Sequence, residues 1–167
     1  MDEKKTMLHK HQQRFKENMK DKMLLCWECG LGKTIAGCLW LAQGRDTDAL
    51  VIAPKRVLSK WRDELTKWST KATVVSKEQF KKLPIKKWSA VVADEIDEFA
   101  SPLFTKQRSQ LSTSLYNLVR AYPNMPILGL SATPIRSSPN NLHSILCFVG
   151  IFIPYKIWRT EFFSLER

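Results

Sequence analysis

Three observations predict an α/β fold, a three-layer domain in which a mostly parallel sheet is covered by helices on both faces. Apolar runs of strand length, at 23–27, 49–53, 88–93 and 126–130, alternate with stretches whose apolar residues recur at helical spacing. Polar or glycine-rich clusters come after three of them: Gly30-Leu31-Gly32-Lys33-Thr34, Asp94-Glu95 and Ser131-Ala132-Thr133. In open parallel sheets ligands bind beyond the C-terminal ends of the strands, so these three clusters converge on one edge.

Taken in order, residues 1–22 are polar and helix-favouring, with Leu8 and Phe15 as anchors. They predict a helix over 7–20 behind a frayed tail at 1–5. The first strand, 23–27, breaks at Gly30-Leu31-Gly32, and a helix begins after Thr34. Residues 49–53 form the second strand, stopped by Pro54. Val57, Leu58, Trp61, Leu65 and Trp68 then trace one face of an amphipathic helix. Residues 73–75 make a short strand, and 78–82 a helical turn before Pro84. The run 88–93 reads as a buried strand delivering Asp94 and Glu95 at its end. Leu111, Leu115, Leu118 and Val119 predict a helix over 107–122, before the strand 126–130. After Pro139, Leu142, Ile145 and Leu146 mark a last helix. There is no internal repeat or low-complexity linker.

A chain of 167 residues is expected to form one domain. Its 44% apolar content is ordinary for a globular protein. No apolar run approaches the roughly 18 residues of a membrane span, and the charged N-terminus precedes no signal-peptide core. A soluble, intracellular protein with no membrane partner is therefore expected. Cys26 and Cys29 form a Cys-x-x-Cys, while Cys38 and Cys147 stand apart. A zinc site would need a second matched pair, and a redox motif would sit at a helix start. Buried free thiols are the expectation for all four. The net charge is +11, and from Lys55 to Lys87 eleven Lys or Arg face three acidic residues. That excess suits either a solvated surface or a polyanion such as nucleic acid.

The stretch after the first strand explains itself chemically. A polyphosphate needs several backbone N–H donors pointing into one concavity, and Gly30 and Gly32 let the backbone curl that closely. A helix start adds orphan N–H groups and the positive end of its dipole. Lys33 can then reach the β- and γ-phosphates of ATP, and the Thr34 hydroxyl can ligate Mg²⁺. A strict G-x-x-x-x-G-K-[ST] loop would carry its first glycine at position 27, where Trp27 stands. A glycine turn that merely closes a strand has the same short signature. Asp94 lies where an acid would hold that Mg²⁺, and Glu95 where it would polarise the attacking water. Asp97 and Glu98 follow, so a solvated acidic turn is the competing reading.

Gly30-Leu31-Gly32-Lys33-Thr34, Ile52-Ala53-Pro54-Lys55 with Trp61, Asp94-Glu95-Ile96-Asp97 and Ser131-Ala132-Thr133-Pro134 stand in the order of motifs I, Ia, II and III. Together they resemble the first RecA-like domain of a superfamily 2 helicase or translocase. The stretch Val51 through Trp61, and the passage from Thr133-Pro134 into Asn140–Leu146, resemble the Swi/Snf-type branch. That branch uses no glycine at the position of Trp27. The short N-terminus and Cys26-Trp27-Glu28 suggest a compact viral or phage version. The resemblance implies a P-loop ATPase in which Gly30, Leu31, Gly32, Lys33 and Thr34 bind ATP. It implies Thr34 and Asp94 on Mg²⁺, and Lys33, Asp94 and Glu95 as the catalytic set. His11-Gln12 resembles an adenine-sensing region with Gln12 on the base, Gln13 being the neighbouring alternative. Ser131 and Thr133 would couple phosphate state to the bound strand. Lys55, joined by Arg56, Lys60 and Arg136, would touch the nucleic-acid backbone, DNA more readily than RNA. The histidines, His143 included, lack ligand spacing and are expected to be structural or exposed.

Such motors carry a second RecA-like domain that supplies an arginine to the transferred phosphoryl group. Residues 151–167 are too few to form it, and Arg159 and Arg167 match no such motif. The expectation is an ATP-binding domain with low or no activity alone, completed by a second domain or partner chain. The main alternative is a non-catalytic relic that binds nucleic acid or a motor and regulates it. A P-loop kinase is a weaker alternative, for no lid or acceptor motif is present and motif III would have no role.

Overall fold

The computed structural model describes residues 8–100, 109–135 and 139–163. Arg136 and Arg167, both singled out from the sequence, lie outside them, as does the tail at 1–5. Five strands form one all-parallel sheet: β1 Lys22–Cys26, β2 Ala49–Ala53, β3 Thr73–Ser76, β4 Ala90–Asp94 and β5 Ile127–Ser131. Their spatial order is β1-β5-β4-β2-β3. The chain leaves edge strand β1, crosses to β2, steps out to β3, then returns through β4 and inserts β5 beside β1.

Every residue of β2, β4 and β5 is buried, because helices cover both faces. The pleat sorts them by alternation. Leu50, Ile52, Val91 and Ala93 join the core that holds α4 Lys77–Phe80, α5 Gln110–Ala121 and α6 Pro139–Phe148. Ala49, Val51, Ala53, Ala90 and Val92 face the opposite core, with α1 Lys10–Glu17, α2 Lys33–Leu41 and α3 Leu58–Lys67. The period-two pattern was hidden in the sequence because both faces are apolar.

Most elements lie within two residues of expectation, and the deviations have local causes. α1 is shorter than 7–20: it begins after His9, whose backbone N–H donates to Gln12 Oε1 at 3.0 Å, and ends where the Asn18 N–H turns back to Phe15 O. The helix after the glycine loop starts two residues early at Lys33, Gly32 forming its cap in the left-handed region. Pro54 opens a 3₁₀ turn at Lys55–Val57 ahead of α3. One helix had no sequence signal: α7 Tyr155–Phe163 follows Pro154. His143 is buried there, bonded to the Ile153 carbonyl at 2.6 Å and packed on Tyr155 and Trp158, a structural role as expected. Among the described residues no helix is long and apolar enough to cross a membrane.

The cysteines correct one expectation. Cys38 and Cys147 are buried, but Cys26 and Cys29 are exposed. β1 is an edge strand, and Cys26 ends it beside the open loop that carries Cys29. Burial and then the Glu64 charge push the Cys38 thiol up to about 12. Burial also raises Cys147. A disulfide reagent at mildly alkaline pH should therefore titrate Cys29 first. Cys26, raised by partial burial and by Asp97, should follow more slowly. Cys38 and Cys147 should react only on unfolding; rapid reaction of all four in the folded protein would contradict this packing.

Candidate functional site

All five strands deliver polar residues to the same edge of the sheet. From β1 come Gly30, Gly32 and Lys33, and from β5 Ser131. Asp94 and Glu95 close β4, Arg56 follows β2, and Lys77 follows β3. The convergence expected for three clusters therefore extends to two more.

Gly30 and Gly32 both adopt left-handed backbone, at φ +87° and +82°. At Gly32 a Cβ would also stand 2.4 Å from the Gln12 amide nitrogen, so a side chain there meets both strain and a clash. The Lys33 ammonium lies inside the loop, donating to the Trp27 carbonyl at 2.9 Å and the Glu28 carbonyl at 3.1 Å. Gln12 is 3% exposed and lies against Gly32. Gln13 is exposed and turned away, its amide donating to the Leu8 carbonyl. Of the two glutamines, only Gln12 adjoins the loop. His11 caps the same corner, its Nε2 3.0 Å from the Leu31 carbonyl.

Asp94 is 8% exposed and already engaged. Its Oδ1 accepts from the Glu95 backbone N–H at 3.0 Å, and its Oδ2 from the Trp61 indole N–H at 2.9 Å. Trp61 is fully buried against Gly37 of α2, where a Cβ would approach the indole to 2.5 Å. The amphipathic pattern placed Trp61 in the core but gave no sign that its N–H orients a carboxylate. Each Asp94 oxygen keeps a lone pair, and Thr34 offers a hydroxyl at the start of α2. One carboxylate and one hydroxyl suit Mg²⁺, which draws its remaining ligands from water and phosphate.

Glu95 sits at φ +50°, one of two non-glycine residues with positive φ among those described. Its Oε1 pairs with Arg56, and its Oε2 lies 4.0 Å from the Lys77 ammonium. Burial raises the Glu95 carboxyl above its usual range, with the neighbouring Glu98 carboxyl adding, while Arg56 and Lys77 pull it down. Lys77 is the residue that sequence reasoning missed. It is 5% exposed, donates to Glu98 Oε2 at 2.6 Å and to the Glu95 carbonyl at 3.3 Å, and lies over the Phe99 ring. In sequence it was one of eleven basic residues between Lys55 and Lys87.

The eleven basic residues of 55–87 do not form one face, so of the two readings of that excess a single continuous polyanion surface does not describe it. Lys55, Arg56 and Lys60 are exposed near the functional edge. Lys86 pairs with Asp48 and stacks on Trp88 at the opposite end of the strands, and Lys67 and Lys81 pair with Glu64 and Glu78. Because β2, β3 and β4 are parallel, each connection returns from the C-terminal ends of the strands to their N-terminal ends, so a run contiguous in sequence is divided in space.

Ser131 and Asp97 join the exits of β5 and β4. The Ser131 hydroxyl donates to Asp97 Oδ1 at 2.6 Å and accepts from the Thr133 N–H at 3.0 Å, with Ser131 and Asp97 both buried. The Ser131 carbonyl also accepts the Trp27 N–H at 3.1 Å, tying β5 to the glycine loop.

No protein-family model matches the chain, and no curated protein sequence does. Solved structures do. The Sulfolobus solfataricus SWI2/SNF2 ATPase core in complex with dsDNA superposes with a TM-score of 0.70 at 19% identity, over 92% of this chain and 38% of that one. The Pyrococcus furiosus Hef helicase domain superposes with a TM-score of 0.64 at 17% identity, over 86% and 36%. The chain thus spans less than two fifths of either structure, and what it shares with them is the RecA-like helicase-domain fold.

Proposed function

We propose that the chain is the ATP-binding part of a nucleic-acid-dependent ATPase of helicase or double-stranded DNA translocase type. The observation that carries this reading is the delivery of Lys33, Asp94, Glu95 and Ser131 to one sheet edge. The likeness to an ATPase core solved with dsDNA supports duplex DNA over RNA as the partner. In this reading the loop N–H groups and Lys33 bind the phosphates, Lys33 exchanging its two loop carbonyls for phosphate oxygens. Gln12, buried against Gly32, senses the base, and Leu31 lines the loop. Thr34 and Asp94 hold Mg²⁺, which supplies Lewis-acid stabilisation of the charge developing on the phosphoryl oxygens. Glu95 orients the attacking water.

Coupling follows the described contacts. The chain Thr133–Ser131–Asp97 links the β5 exit to the acidic turn, so a shift at either end is felt at the other. Lys55, Arg56 and Lys60 provide phosphate contacts on the strand side. A second RecA-like domain or chain completes the cleft and supplies an arginine to the transferred phosphoryl group, so the chain alone turns over slowly or not at all.

Binding of a fluorescent ATP analogue, followed by hydrolysis with and without DNA or RNA, tests the reading. Lys33→Ala should weaken nucleotide binding by about 10- to 150-fold, the loss of a charge-assisted contact worth about 1.5–3 kcal/mol. ATP binding without turnover would mark half a motor. No binding by the unaltered chain would remove the ATPase reading and leave a regulatory relic in its place.

A further inference from the structure

Two cations share the Glu95 carboxylate, and they differ in kind. Lys77 is buried, and held at once by Glu98 and by the Glu95 carbonyl. Arg56 is 67% exposed in its side chain and stands in the 3₁₀ turn between Lys55 and Val57, with Lys60 farther along α3. One is fixed in the core and the other can leave.

Resting on the reading of this chain as a nucleic-acid-dependent ATPase, we propose that Arg56 is an exchangeable latch, bound to Glu95 in the free chain and to a backbone phosphate when nucleic acid is present. While the guanidinium occupies Glu95 Oε1, that oxygen is engaged where a water would need it. A phosphodiester oxygen offers the guanidinium an equivalent charge-assisted partner, with the same fork geometry. The exchange is nearly balanced, since an ion pair this exposed is worth at most about fivefold in an equilibrium constant. Release does not strand a buried charge, because Lys77 stays 4.0 Å from Glu95 Oε2. Strand binding and the freeing of Glu95 are thus one event at one side chain. This differs from the Ser131–Asp97 contact, which reaches the acidic turn from the other neighbouring strand.

Linkage makes the latch measurable without any turnover. If Arg56 must leave Glu95 to meet phosphate, removing the Glu95 charge tightens nucleic-acid binding, and only when Arg56 is present. Duplex DNA binding at low salt would be measured by anisotropy for the unaltered chain, Glu95→Gln, Arg56→Ala and the double variant. Glu95→Gln should tighten binding about two- to fivefold. Arg56→Ala should weaken it and lower the salt slope by about one. In the Arg56→Ala background, Glu95→Gln should have no further effect. Equal tightening in both backgrounds would mean bulk electrostatics and would overturn the latch, as would no effect of Glu95→Gln despite normal binding. If the unaltered chain bound neither duplex DNA nor RNA at low salt, the nucleic-acid reading itself would fall, and the latch with it. Both substitutions are at partly or well exposed side chains, and thermal unfolding checks that each variant is folded.

Discussion

Replacing Trp61 by alanine is expected to cost about 3–5 kcal/mol of folding stability, the range for emptying a buried aromatic site. The indole is wholly inside the core between the sheet and α2, and Gly37 leaves it room. A cavity forms there, and the interior is too closely packed for neighbours to fill it. A second cost is added at Asp94 Oδ2, which loses its N–H donor while remaining buried. Trp61→Phe separates the two costs. It keeps most of the packing and removes only the hydrogen bond, so it should lose about 1–3 kcal/mol, the penalty for an unsatisfied buried acceptor. Chemical denaturation of the three proteins gives both numbers. If Trp61→Ala unfolded within 1 kcal/mol of the unaltered chain, the indole would not be the keystone between α2, α3 and β4. In the proposed function Trp61→Phe should also weaken Mg²⁺-dependent nucleotide binding, because Asp94 is then held by the Glu95 N–H alone.

Glu95→Gln is expected to have the largest effect on chemistry. An amide keeps the size of the carboxylate and cannot accept the proton of an attacking water. Nucleic-acid-stimulated ATP turnover, measured with the second domain or partner present, should fall by about 10²–10⁴-fold, the usual share of a positioned general base. Nucleotide binding should stay within a few-fold, since in the proposed function the phosphate contacts come from the loop and Lys33 and not from Glu95. Turnover within tenfold of the unaltered protein would take the base role from Glu95. The same substitution thus gives opposite signs in two assays: slower hydrolysis, and tighter DNA binding through Arg56. A residue that served only the stability of the turn would lower both.

The pair of expectations also separates Lys77 from Arg56. Lys77 holds the Glu95 carbonyl at 3.3 Å, so it fixes the left-handed turn from behind. Arg56 holds only the carboxylate, from the solvent side. Their substitution should therefore affect different properties, the shape of the turn for one and its availability for the other.

By itself the sequence determined the α/β class, the order of the strands and of the helices other than α7, and the edge to which Gly32, Asp94 and Ser131 are delivered. Each of those follows from local physics. Apolar runs of strand length, helical periodicity, left-handed glycines at 30 and 32, and proline stops act over a few residues. The tertiary structure alone decided which side chains meet. Arg56 and Glu95 are 39 residues apart, Trp61 and Asp94 33, and Lys77 and Glu98 21. They meet because the chain sets β2 beside β4, and β3 beyond β2, a strand order that no local pattern encodes. The same order places β1 at an edge and exposes Cys26, and the docking of α1 on the glycine loop turns Gln12 inward and Gln13 outward. A charge in a sequence has a sign but no partner; burial and pairing are set by neighbours distant along the chain. That is why Lys77 read as one solvated lysine among many, and stands in the fold as a buried cation behind Glu95.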